Sequence, residues 1–145
     1  MANALYGHGR ERFLQGTIDW DANDIKCMLY DDTDYTVSID VDEYVNKDTI
    51  PDAARVTNGL SGNFASKTET LGVADADDIV LTAVTGEQCE GIIIGVDGGD
   101  GFVTQSGTND LLIADIDTAT GLPVTPNGGD ITIAWDAGAN RIFKL

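Results

Sequence analysis

The sequence predicts a mainly β domain, an antiparallel β-sandwich or barrel-like unit carrying a short N-terminal helix. Of its 25 acidic residues, 20 are Asp and five are Glu. Asp is a poor residue for helix interiors and a good one for turns and caps, so the bias favours short strands joined by tight loops. From residue 67 onward, short apolar runs follow one another, separated by Gly, Asp, Asn and Pro clusters. No long helical pattern intervenes, which leaves antiparallel pairing as the way to bury those runs.

Residues 1–16 read as an N-terminal helical segment and 17–145 as a single β-domain. Leu5, Tyr6, Phe13 and Leu14 stand near helical spacing, with Asn3 as a cap and Gly16 as a stop. Gly7 and Gly9 weaken that helix by about 1 kcal/mol each, so it is expected to need a surface to dock on. A hairpin is expected next: Thr17–Trp20, a turn at Asp21–Asp24, then Ile25–Tyr30. Residues 31–66 read as irregular, with a helical turn near Asp42–Asn46 and a break at Pro51. Then come "TETLGV", "DIVLTAV", "CEGIIIGV", "DLLIADID", "DITIAWD" and "NRIFKL". In Asp130–Asp136, Ile131, Ile133 and Trp135 share one face. The chain closes on Phe143 and Leu145, apolar enough to be expected paired and buried. The Trp-Asp-Ala at Trp20 and at Trp135 reads as a strand-closing core residue followed by turn residues.

A chain of 145 residues is long enough to bury a core as one domain. Its formal charge of −17 repels phosphate and anionic lipid, so neither nucleic acid nor a membrane surface is an expected partner. No signal peptide or long apolar segment is present in the sequence. Cys27 and Cys89, both inside strand-like runs, are expected as buried free thiols.

Chemistry is sparse. The single histidine, His8, lies between two glycines, and no zinc-ligand spacing accompanies it. Ser38, Ser61, Ser66 and Ser106 fit no nucleophile elbow, and no phosphate-binding glycine loop appears. Asp19, Asp21 and Asn23 match the start of an EF-hand loop, but Asp24 replaces the required Gly and Tyr30 the final Glu. The acidic runs at 75–78 and 97–101 could chelate a hard cation if folded together, but such clusters are more often solvated turns. No enzymatic activity, cofactor or bound metal is expected.

The basic residues lie toward the ends: Arg10, Arg12 and Lys26 early, Lys47, Arg55 and Lys67 in the irregular stretch, Arg141 and Lys144 last. Between Thr68 and Asn140 there are 13 acids and no Lys or Arg. This asymmetry has two readings: the basic residues neutralise local carboxylates, or both ends share an attachment face, formed by Leu5, Tyr6, Arg10, Arg12, Phe13, Arg141, Phe143 and Lys144.

The opening "ALYGHGRERFLQGTIDWDANDIKCMLYDD" and the ending "DTATGLPVTPNGGDITIAWDAGANRIFKL" resemble a family of small virion proteins of tailed bacteriophages. Members begin with a short helix of the form "ALY..GRE.FL.G", followed by an "IDWD..TIK" hairpin, and close on "PVTPNGGDI...WD.G..RIFKL". Cys27 departs from that pattern, and "NGLSGNFASKTETLG" has no counterpart in it. The resemblance implies a structural role in the virion, the chain being made in the host bacterial cytoplasm. Two expectations follow. One is a decoration or cement protein on the capsid outer surface, binding the major capsid protein and neighbouring copies of itself as a homo-oligomer, with a trimer favoured. The other is a tail or fibre module that binds another virion protein or a host-surface ligand. The acidic charge favours the outer shell.

Overall fold

The computed structural model describes residues 3–145. It is mainly β, with antiparallel sheets and one short helix near the N-terminus. Five strands form the main sheet: β1 (Ala4–Leu5), β2 (Ile25–Tyr30), β3 (Arg55–Leu60), β6 (Gly91–Val96) and β7 (Leu111–Ile116), in the order β1-β7-β6-β2-β3. Two ribbons complete the described strands. One pairs β4 (Val73–Ala74) with β9 (Phe143–Lys144), the other β5 (Ile79–Leu81) with β8 (Ile131–Ile133). No described sheet closes into a barrel.

The central strands are apolar at almost every position because both faces of the sheet are covered. In β2, Ile25, Cys27 and Leu29 enter one core cluster while Met28 and Tyr30 enter the other. β6 divides likewise, with Cys27 opposite Ile94 and Met28 opposite Ile93. Both ribbons, together with Trp20 and Phe64, pack on the first face. Tyr35, Val45, Ile50, Ala54 and Phe102 close the second. The result is a sandwich-like layering around one sheet.

A bulge in β7 decides what the second face receives. Ala114 stands opposite Ile94 and Leu112 opposite Gly95, so Ile113 is the extra residue. Beyond it, Asp115 turns to the second face, opposite Ile93, and is fully buried.

The helix α1 (Gly7–Leu14) lies against β7. A Cβ at Gly9 would stand 2.7 Å from the Leu112 carbonyl oxygen. The glycine expected to weaken the helix therefore lets its backbone approach the sheet. Gly16, at φ +72°, ends the helical segment as expected.

Several expectations are corrected. Thr17–Trp20 forms no strand; β2 pairs instead with β3 and β6, because those partners bury its two faces. The stretch read as irregular contains β3, Arg55–Leu60, where polar Thr57 and Asn58 followed by Gly59 hide an edge strand. Asn3 does not cap the helix, which begins after Tyr6. Its Oδ1 accepts the N–H groups of Asp117 (3.0 Å) and Thr118 (2.8 Å). "TETLGV" supplies only Val73 to a strand, after a 3-10 turn at Thr70–Gly72. The last residues are paired, yet Leu145 is 57% exposed. Cys27 and Cys89 are free and buried as expected, and burial pushes each thiol up to about 12.

Candidate partner interface

The two ends of the chain meet. The Phe13 and Phe143 rings are 5.9 Å apart, and Trp20 packs edge-on against Phe143 at 5.2 Å. Phe64 joins Trp20 at 6.0 Å and Trp135 at 5.4 Å, so one aromatic row runs from the helix into the first-face core. The two Trp-Asp-Ala segments converge within it. Trp20 Nε1 donates to the Asp75 carbonyl (3.2 Å) and Trp135 Nε1 to the Asp77 carbonyl (3.1 Å).

At the outer end of this row lies a hollow of about 370 Å³, lined by Phe13, Gly16, Ile18, Trp20, Gly72, Ala74, Phe143 and Leu145, with Asp19 and Glu69 as its acids. Leu14 and Leu71, next in sequence to Phe13 and Gly72, are 91% and 90% exposed. Leu71 also sits at φ +56°, a conformation that costs a bulky side chain energy and suits Gly or Asn. A strained leucine held in solvent has no stabilising function in the isolated fold. A second hollow, of about 450 Å³, is lined by Leu5, Ile116, Arg141, Phe143 and Lys144, so Phe143 borders both hollows.

The structure sorts the eight residues assigned to the shared face. Leu5, Phe13, Arg141, Phe143 and Lys144 gather there. Tyr6 does not: it is fully buried on the second face, its hydroxyl 2.9 Å from that of Tyr35. It stands in extended conformation between β1 and the helix, its N–H bonded to the Ile113 carbonyl (2.9 Å), and its ring lies in the second-face core, so it cannot touch a partner. Arg12 is part-buried, paired with Glu43 and stacked over Tyr44 at 5.5 Å. Arg10 stands 3.5 Å from Asp40 and donates to the Leu5 carbonyl. Arg141 lies 3.6 Å from Asp75. Lys144 is exposed and has no ion-pair partner among the described residues. The expected basic face is therefore mostly neutralised within the molecule, and what remains is apolar. Leu14 and Leu71 were not assigned to the site from sequence. Leu14 was readable as the last apolar residue of the helical segment, two positions before the Gly16 stop, but its spacing did not say which face it takes.

A third concavity, of about 490 Å³, opens on the second face between Tyr30, Tyr35, Asp32, Glu90, Asp115 and Pro123. Tyr30 donates to Asp115 Oδ1 (2.7 Å), and Tyr35 to Asp42 Oδ2 (2.8 Å). Burial pushes the Asp115 carboxyl up to about 6, with the Asp117 charge adding to it. Burial likewise raises both tyrosines above the usual phenol range. The lining offers carboxylates and phenols without a His, Cys, Lys or Arg beside them. His8 lies on the helix surface, 3.3 Å from Glu11.

The chain matches no protein-family model and no curated protein sequence.

Proposed function

We propose that the protein is a capsid decoration, or cement, protein of a tailed bacteriophage, which attaches to the outer surface of the major capsid shell through the end face around β9. The observation that carries this reading is the pair of exposed leucines, Leu14 and Leu71, flanking the apolar hollow beside Phe143. The sequence resemblance at both ends supports the virion setting, and those same ends build this face. The charge of −17 suits a protein that projects into solvent, away from packaged DNA. Apolar burial supplies the attachment energy, and Lys144 at the rim contributes mainly to encounter rate. Contact between neighbouring copies around a symmetry axis belongs to the same reading, with a trimer favoured.

The test is attachment of purified protein to heads that lack it. Burying two leucines contributes roughly 1.5–3 kcal/mol each, so a Leu14→Ser, Leu71→Asn variant is expected to attach at least about a hundredfold more weakly. Asn tolerates the left-handed backbone at position 71, so the isolated variant should melt at or above the wild-type temperature. Attachment at wild-type affinity overturns the assignment of this face. Copy number in the virion separates the tail or fibre alternative: hundreds for cement, a handful for a tail part.

A further inference from the structure

We propose that Asp97, Asp100 and Asp110 form a binding site for a single hard divalent cation of the Ca²⁺ class. β6 ends at Val96 and β7 begins at Leu111, and these two residues are cross-strand partners. The hairpin therefore sets Asp97 and Asp110 against each other at the mouth of the connecting loop, and Asp100 returns to them from within it. One carboxylate oxygen from each residue lies within 4.8 Å of the others. Oxygens bound to Ca²⁺ at 2.3–2.6 Å span about that distance across the ion.

The observation that takes this beyond an acidic turn is Asp110. Its side chain is 1% exposed. Oδ1 accepts the Gly98 N–H at 2.7 Å, which aims the carboxylate into the loop, while the buried Oδ2 meets no N–H donor and the side chain lies against the Asp100 carboxyl, an acid facing an acid. A buried carboxylate oxygen without a donor costs stability unless a proton or a cation meets it. Thr104 Oγ1, in the same loop, is buried beside the Asp100 carboxylate and adds a neutral oxygen. The other acidic trio, Asp31, Asp32 and Glu90, has no such oxygen: buried Asp31 accepts the Thr33 N–H.

Two cations temper the site. Lys26 Nζ pairs with Asp97 Oδ2, while the Gly99 and Gly101 N–H groups occupy Oδ1. Arg55, bonded to the Ile50 and Phe102 carbonyls, feels the charges of Asp100 and Asp110. Three carboxylates against two cations leave a net charge near −1. That places the affinity at the weak end of protein calcium sites, about 10⁻⁴–10⁻³ M. From the sequence the 97–101 run reads as a turn, because Asp110 joins it only through the pairing of β6 with β7.

Calorimetric titration of the intact protein with CaCl₂, at neutral pH and constant ionic strength, tests the site. One saturable equivalent per chain is expected, with the thermal midpoint rising by about 3 °C at tenfold excess over the dissociation constant. Asp100→Asn and Asp110→Asn should each weaken binding at least tenfold, and Glu90→Gln should leave it unchanged. If Asp110→Asn does not fold, Asp100→Asn still reads the site. No saturation by 10 mM Ca²⁺ overturns the proposal and leaves a proton as the partner of Asp110. Equal weak binding in all variants overturns it as well, since that is diffuse screening of an acidic surface.

Discussion

Phe13, one residue before the end of α1, and Phe143, two residues before the C-terminus, are in ring contact at 5.9 Å. This contact links the first and last segments of the chain directly. Phe143 in turn packs on Trp20, and β9 is held by β4. The attachment face is therefore built by long-range packing. Anything that lifts the helix from β7 should disturb it.

Gly9 provides a direct test of that docking. An added Cβ would meet the Leu112 and Ile113 carbonyl oxygens at 2.7 and 3.0 Å. Ala improves helix propensity by about 1 kcal/mol. Forcing the helix off a packed sheet costs roughly 1–3 kcal/mol, and both nearest neighbours are backbone that cannot rotate away. Gly9→Ala is expected to lower the urea midpoint. A raised midpoint would show that the helix does not lean on the sheet in this way.

Asp115 should leave a signature in the pH dependence of stability. Its carboxyl is raised from 3.8 to about 6 in the fold, chiefly by burial. The folded state thus holds a proton that the unfolded chain has released. The contribution is complete below pH 3.8 and is lost as pH rises through about 6. A shift of this size corresponds to about 3 kcal/mol. Asp115→Asn, which cannot ionise, should gain stability relative to wild type by about that amount between pH 4 and 7. A gap between the two proteins that is the same at both pH values would contradict the assignment.

How much was legible in the sequence varied by element. β6 and β7 were clear because strands buried on both faces leave long apolar runs, "GIIIGV" and "LLIADI". β3 was hidden, since an edge strand with polar Thr57 and Asn58 lacks that pattern. The two Trp-Asp-Ala segments suggested two similar hairpins. In the fold they share a target instead, both indoles reaching carbonyls in the 75–78 run from opposite ends of the chain. Local sequence does not encode that convergence. Among the site residues, Phe13 and Phe143 were readable as apolar ends. Tyr6 was misplaced because it was counted into the helix, whereas it is an extended residue between β1 and the first helical turn. Leu71 fell within "TETLGV", which reads as a strand, whereas in the fold it is a left-handed kink inside the 3-10 turn that leads into β4.

The central claim is attachment to the outer capsid shell through the end face, and a cryo-electron microscopy map of the intact virion tests it most directly. The account predicts hundreds of copies on the outside of the head, with residues 13–16, 69–72 and 143–145 against the major capsid protein and the acidic loops pointing to solvent. Density confined to the tail, or copies seated on the shell through another face, would contradict it.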